Sequence, residues 1–393
     1  MITSTIIENG KLFLFKLFDI PLKEEISVIE EVEGKTILPN EYLERFTLYA
    51  LQSKDSLKDR DNELLSLQRA YDNWEITNQP LLVVNNPGEG ATSLLHSSTH
   101  IYPKAKIIET KTSIDSYEEL VSLFCKIFSV EDCKSLKDIE DKIINTEDDF
   151  VIIIENIERL FIRKINGFNL LEDFLLFLHA TKENVYWIAS INKYSFYYLN
   201  SVKYFSSHFP SIVRLNPVNN ELLQQEILER NEGYNLVFLK PNTITKKLDN
   251  QLKKLDSNKK QEVLKTLFFK KLFDFSKGNM TKAILFARDS AYKIKDKTVY
   301  IKPFELKPIE DLSLNDLFIL EAIFQHRSLT VEELNVVLRN SNRQSRLTIE
   351  NLLEKRLIRE TKNTSNEIEY RINLIYLDIL KDSLRERLNR NFR

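Results

Sequence analysis

Gly88 and Gly90 stand two residues apart in Leu81-Leu82-Val83-Val84-Asn85-Asn86-Pro87-Gly88-Glu89-Gly90-Ala91-Thr92-Ser93-Leu94-Leu95, and the whole chain of 393 residues holds only 7 glycines. Two of them in one short loop mark a backbone constraint. The apolar run before the loop reads as a buried strand, and the stretch after it as the start of a helix. Strand, glycine loop, helix is the layout in which backbone N–H groups and a helix N-terminus face an anion. The usual pattern is Gly, four residues, Gly-Lys, then Ser or Thr. Here Asn85 stands at the first glycine, Gly90 at the second, Ala91 at the lysine and Thr92 at the hydroxyl. Asn86, Pro87, Gly88, Glu89, Gly90, Ala91, Thr92 and Ser93 are therefore the candidate phosphate cradle. It lacks the cation that neutralises β/γ-phosphates.

The second signal is Val151-Ile152-Ile153-Ile154-Glu155-Asn156. P-loop enzymes end such an apolar strand on an acid that holds Mg²⁺, and many follow it with an acid that acts on the attacking water. Glu155 can fill the first role, with Thr92 as the other candidate metal ligand. Asn156 cannot act as the base, and Glu158 lies two residues further on. The bland alternative is a buried strand with a polar end.

The bulk numbers bound the answer. A chain of this length has room for two or three domains. Hydrophobic content of 42% and charged content of 29% describe a folded chain, and a formal net charge of −2 confines any nucleic-acid surface to a local patch. Cys125 and Cys133 are the only cysteines. Their spacing matches neither a metal site nor a disulfide framework, so a reducing, cytoplasmic setting is expected. Leu12-Phe13-Leu14-Phe15 is cut by Lys16 and is too short for a signal peptide. No apolar run approaches the roughly 20 residues of a membrane span.

Along the chain, residues 1–55 hold β-branched and aromatic runs (Thr3 to Ile7, Leu12 to Phe18, Ile26 to Val32) that read as strands of unassigned role. Asp59-Arg60-Asp61 opens an amphipathic helix with Leu64, Leu67, Tyr71 and Trp74 on one face. Strands at 81–85, 104–109, 150–154, 185–191 and 211–215 alternate with helices at 91–100, 116–128, 168–181 and 194–203. That alternation predicts a parallel sheet covered by helices over residues 56–218. Asn219 caps a further helix, and 219–295 reads as a small helical domain. Residues 296–310, with Pro303 and Pro308, read as a linker. Residues 306–393 then give three helices (Leu314–Phe324, Val331–Leu338, Gln344–Lys355), two strands (Leu357–Thr361, Ile368–Ile372) and a closing helix, the pattern of a winged helix.

The order of these pieces resembles the AAA+ superfamily, in particular the branch of origin-recognition ATPases, transposition-regulator ATPases and STAND-type switches. The carrying residues are Asp59–Leu64, the Asn85–Ser93 loop, the Ile152–Asn156 strand, Pro217–Leu222 and Gly278–Ala283. The resemblance covers roughly residues 57–295. It implies an α/β P-loop AAA+-like core with a helical lid, followed by a winged helix. It places Ser190 at the polar sensor of the fourth strand, with Asn192 as a neighbouring candidate. Lys282 falls at the lid position where a basic residue faces the γ-phosphate. The departures concern chemistry. The loop lysine is Ala91 and the catalytic acid is Asn156. No arginine precedes Phe209-Pro210, where a finger acting in trans is expected, and Lys203 is the nearest basic residue. Such cations each contribute orders of magnitude to turnover.

Beyond the core, Arg343, Gln344, Arg346 and Lys355 lie on or beside the third helix of the winged-helix region, with Asn351 on the same helix. They are candidates for contact with DNA or RNA. Residues 311–393 carry 14 Lys+Arg and 13 Asp+Glu, so a protein-contact role competes equally. The lysine-rich stretch from Lys246 to Lys271 reads as a solvated helical face interrupted by Asp249, Asp256 and Glu262. His96 and His100 have helical spacing but no third metal ligand. The first reading is a catalytically impaired AAA+-like subunit that acts through assembly with itself or an active AAA+ partner, with nucleic acid as target. ATP and Mg²⁺ are expected to be bound weakly or not at all. The rivals are an active divergent ATPase, with Lys282 or another lysine replacing the lost one, and a protein-interaction scaffold.

Overall fold

The computed structural model describes residues 27–29, 37–51, 57–102, 104–146, 148–241, 244–304, 306–308 and 312–387. The expected strands at Thr3–Ile7 and Leu12–Phe18 lie outside them. Within Ile26–Val32, β1 (Ser27–Ile29) is a strand paired antiparallel with residues 306–308. A short helix α1 (Asn40–Glu44) and the long α2 (Asp61–Thr77) precede the core.

The core opens with β2 (Leu81–Asn85), followed by α3 (Ala91–Ser97), β3 (Lys106–Glu109), α4 (Tyr117–Phe128) and α5 (Leu136–Ile144). It continues with β4 (Phe150–Glu155), α6 (Asn169–Thr181), β5 (Val185–Asn192), α7 (Lys193–Lys203) and β6 (Ser211–Arg214). The five strands pair in parallel in the order β3-β4-β5-β2-β6. This is the α/β architecture expected from the alternation, with each strand near its expected place. α5 was not foreseen; Ser135 and Asp138 start it with reciprocal capping bonds.

Both faces of the sheet are covered, which is why its central strands β2, β4 and β5 are mainly apolar runs rather than alternating with polar residues. The faces still divide by the period of two. Leu82, Val84, Trp187 and Ala189 enter one buried cluster, while Leu81, Val83, Tyr186 and Ile188 enter another. Phe124, Phe128, Phe174 and Phe177 pack around Trp187 with ring centroids 5.7 to 6.1 Å away. Trp74, Tyr71 and Tyr102 pack on Tyr186 from the opposite side.

The next unit contains α8 (Asn220–Arg230), β7 (Asn235–Phe238), α9 (Lys246–Leu252), α10 (Ser257–Ser276), α11 (Met280–Ser290), β8 (Ala291–Lys295) and β9 (Thr298–Ile301). Here two expectations are corrected. Residues 219–295 are not wholly helical, and 296–310 is not merely a linker, because β7, β9 and β8 form a three-stranded sheet. The signal was concealed by turn chemistry. Asp296 and Lys297 both have positive φ, 50° and 57°, and join β8 to β9 in two residues. Asn-Gly or Asp-Gly is the usual sign of such a turn.

β10 (Leu306–Pro308) pairs with β1. The C-terminal segment then runs α12 (Leu314–His326), β11 (Ser328–Leu329), α13 (Val331–Leu338), α14 (Asn342–Glu354), β12 (Ile358–Lys362), β13 (Ile368–Ile372) and α15 (Leu377–Arg387). β11 is an additional strand, pairing with β13 to make an antiparallel sheet in the order β11-β13-β12.

Cys125 and Cys133 are brought together, with Cα atoms 6.4 Å apart. Ser129, in a left-handed conformation after α4, lets the chain return toward Cys125. A spacing of eight does not reveal that turn. No helix among the described residues is long and apolar enough to cross a membrane.

Candidate functional site

Parallel strands aligned in register bring their C-terminal ends to one edge, where ligands of open α/β sheets bind. Asn85 of β2 is level with Asn192 of β5, and Glu155 of β4 is level with Glu109 of β3. The loop from Asn86 to Gly90 rises from this edge into α3. Gly88 and Gly90 take φ of +86° and +88°, the left-handed conformations that explain both glycines. No side chain caps the start of α3. A cavity of about 470 Å³ opens over the loop, lined by Pro87 through Ser93 and by Asn156.

The loop is held from three sides. Arg60, 5% exposed, donates to the carbonyl of Glu89 at 2.9 Å, to that of Asn216 at 2.6 Å and to Glu63 at 3.1 Å. The start of α11 presses on Gly88, where Asn279 donates to the Pro87 carbonyl at 3.0 Å and Thr281 N–H reaches the Gly88 carbonyl at 3.4 Å. The third tie is internal. The Glu89 carboxylate accepts from Asn86 N–H at 2.8 Å and from the Asn86 side chain at 2.6 Å. Burial raises the Glu89 pKa, opposed by those two bonds and by Arg60.

The expected metal pair is adjacent. Thr92 Oγ1 donates to Glu155 Oε2 at 2.7 Å, and His96 Nε2 lies 3.2 Å from Glu155 Oε1 and 3.3 Å from Glu109 Oε1. Burial raises the Glu155 pKa, with the Thr92 hydroxyl and His96 acting against it. Glu155 is 2% exposed and lies behind the cavity wall. His100 turns away from His96, its Nδ1 facing the Ser97 carbonyl. No group of three or more His, Cys, Asp or Glu among the described residues is arranged to hold a metal ion. The loop geometry fits a phosphate. The donor set for a divalent ion is reduced to one hydroxyl and one carboxylate already bonded to each other.

The remaining expected residues are brought near the edge and engaged there. Ser190 Oγ accepts from Asn156 N–H at 3.1 Å. Asn192 caps α7, accepting from Tyr194 and Ser195 N–H, and donates its amide to Glu158 at 3.1 Å. Glu158, 1% exposed, is thereby part of the scaffold. Asn156 itself has φ of 59°, a left-handed position that asparagine tolerates better than most side chains. Lys282, 1% exposed, forms an ion pair with Asp378 of α15 and does not line the cavity. Burial lowers its pKa, and Asp378 opposes the shift.

Sequence reasoning missed the contribution of the C-terminal segment. Arg327, Arg359 and Arg371 line the same cavity as the loop. Arg327 Nη1 donates to Asn156 Oδ1 and lies 3.6 Å from Glu158. The segment is bound to the core by buried polar contacts as well. Arg159 donates to Glu369 at 3.0 Å, Ser113 to Glu333 at 2.7 Å and the Arg163 N–H to His326 at 3.0 Å. Sequence separations above 150 residues left no signal for these pairings. Elsewhere, Arg343, Gln344 and Arg346 project exposed from the first half of α14, while Lys355 caps its end half-buried. Asn351 is turned inward to Asp316 at 3.1 Å.

Solved structures similar to this chain include the following three. A Walker-type ATPase of Pyrococcus abyssi is 14% identical, over 86% of this chain and 99% of that one, with a TM-score of 0.41. The ORC2 protein of Aeropyrum pernix, in ADPNP–ADP complexes, is 12% identical over 87% and 97%, with a TM-score of 0.43. Cdc6p of Pyrobaculum aerophilum is 14% identical over 88% and 98%, with a TM-score of 0.41. Values of this size carry no assignment of function. No family profile and no curated protein matches the chain.

Proposed function

We propose that this chain is a nucleotide-binding AAA+-like subunit without effective hydrolysis, acting through assembly with copies of itself or an active AAA+ partner, with nucleic acid as its target. The observation that carries the reading is the loop at the strand edge, where Gly88 and Gly90 hold positive φ beside a cavity of about 470 Å³. Loop amides and the start of α3 suit phosphate oxygens. The apolar wall of Leu48, Tyr49, Ala50, Leu51 and Leu57, with Val218 and Leu222, suits a flat base.

When bound, ATP would supply the phosphoanhydride whose cleavage drives members of the superfamily. This chain's residues hold rather than cleave. Ala91 offers no charge. Asn156 accepts from Arg327 and has no carboxylate to orient water. Glu155 is bonded to Thr92. Purified protein should retain or bind ATP without releasing phosphate above background. Phosphate release at tens per minute that Glu155→Ala abolishes would overturn the reading. Ala91→Lys should raise affinity without restoring turnover. Mass measurement at micromolar concentration, with and without nucleotide and nucleic acid, tests assembly. A monomer under every condition, with no partner from cells, removes that part.

A nucleotide-free scaffold is favoured by one observation, the Glu89 carboxylate already bonded to Asn86 N–H at 2.8 Å. The same titration separates the two readings, because a scaffold binds no nucleotide at all.

A further inference from the structure

The cavity over the loop has a strong charge imbalance. Its lining includes Lys58, Arg60, Arg230, Arg327, Arg359 and Arg371 against only Glu89 and Glu226, six cations and two anions, a formal excess of +4. The chain as a whole carries −2. Part of the excess is neutralised on the side of the lid, where Glu226 lies 3.0 Å from Arg230 and 3.7 Å from Lys58. Arg60 is fixed on Glu63. On the wall contributed by the C-terminal segment the balance is only partial: Arg327 lies 3.6 Å from Glu158. Arg371 lies 3.4 Å from Glu369, but that carboxylate is already paired with Arg159 at 3.0 Å. Arg371 Nε is buried without a hydrogen-bond partner. Burial, with Arg159 and Arg327 nearby, holds the Arg371 pKa down to about 10. Gathering like charges at a partly buried wall is unfavourable unless an anion sits among them.

We propose that Arg327, Arg359 and Arg371 are the phosphate-facing cations of this site, replacing within the same chain the loop lysine that Ala91 lacks. The ligand is a nucleoside polyphosphate held between the loop amides and the C-terminal segment. This rests on the nucleotide-site reading above. It makes the ligand a tie between core and C-terminal segment, since each contributes one wall. Affinity should then rise with the number of phosphates, and it should depend on residues far from the loop in sequence.

The test is a titration of full-length protein with fluorescent ATP, ADP and AMP, for wild type and for Arg327→Gln, Arg359→Gln and Arg371→Gln. Wild type should bind ATP more tightly than AMP. Each substitution should weaken ATP by roughly ten- to hundred-fold, the range of a lost charge-assisted bond, and narrow the ATP/AMP ratio. Arg359→Lys should keep most of the affinity, and Ala91→Lys added to Arg359→Gln should restore it. Thermal unfolding of each unliganded variant reports whether it folds, and Arg343→Gln on α14 serves as a distant control. If wild type binds ATP and all three glutamine variants bind as tightly, this proposal is overturned while the nucleotide site stands. If wild type binds none of the three nucleotides, both fall.

Discussion

Protonating His326 should loosen the joint between the C-terminal segment and the core. His326 ends α12 and is 2% exposed. Its Nε2 accepts the Arg163 N–H at 3.0 Å, and its Nδ1 lies 2.9 Å from the Ala322 carbonyl. A ring that accepts at Nε2 carries its proton on Nδ1, so the joint requires the neutral form. The ring also packs against Phe161, with centroids 5.0 Å apart. Protonation would place an N–H against an N–H, in a buried site facing Arg163 and Arg159. Burial, first, brings the pKa from 6.5 down to about 4, the Ala322 carbonyl opposing the shift and the two arginines adding to it. The folded value lies below the unfolded one, so the stabilisation is complete above the unfolded pKa and is lost as pH falls toward the folded one. At about 1.4 kcal/mol per pKa unit, the full effect is on the order of 3 kcal/mol. About 2 kcal/mol of it should disappear between roughly pH 7 and pH 5. Denaturant titrations of wild type and His326→Gln at both pH values measure this, since every other titrating group is common to the two proteins. The wild-type curve should be steeper by about 2 kcal/mol over that interval. Parallel pH dependences, or an imidazole resonance for residue 326 titrating at the ordinary histidine value, would refute the reasoning.

Three further outcomes are expected. Gly90→Ala should cost about 1 kcal/mol for its positive φ, whereas Gly88→Ala should cost roughly 2–3 kcal/mol. An added Cβ at Gly88 meets Asn279 and Thr281 at 3.0 Å and Leu374 at 3.3 Å, while at Gly90 it meets nothing within 4 Å. Equal melting shifts would show that the start of α11 does not rest on the loop. Glu369→Ala should destabilise by about 3–5 kcal/mol because it leaves the buried Arg159 without its carboxylate, and Arg159→Met in the same chain should recover much of the loss. Additive losses in that double-mutant cycle would argue against the pairing. If α14 contacts DNA or RNA, replacing Arg343 and Arg346 by Ala should flatten the salt dependence of binding by a slope of roughly two. An unchanged slope would move nucleic acid to another surface.

What could be read from the sequence follows the range of the interactions involved. β2 and its glycine loop were legible because strand, turn and helix cues act within a few residues. β4 and β5 were legible because burial on both faces leaves an unbroken apolar run. The cap at Asn219 was legible for the same local reason, accepting from a backbone N–H three residues on. The β8–β9 hairpin was hidden by Asp296 and Lys297 in positive-φ positions without a glycine. At the site, Lys282 occupies its expected place in α11, but its partner Asp378 lies 96 residues away, and no local pattern indicates that the charge is taken. The same limit concealed Arg327, Arg359 and Arg371. Sequence reasoning located the missing cation at Ala91 but had no means of bringing a distant wall against the loop.

The Glu89 carboxylate has a consequence for order rather than for charge. A phosphate loop without ligand ordinarily samples many backbone states, and binding must select one of them. Here Asn86 is held at both its N–H and its side chain by a residue of the same loop. The conformational entropy of this turn is lost when the chain folds, not when a ligand arrives. An incoming anion meets a rigid surface whose shape does not wait for it, and its arrival exchanges one acceptor for another at Asn86. Heat-capacity and loop-exchange measurements on such a site should therefore register little ordering on binding.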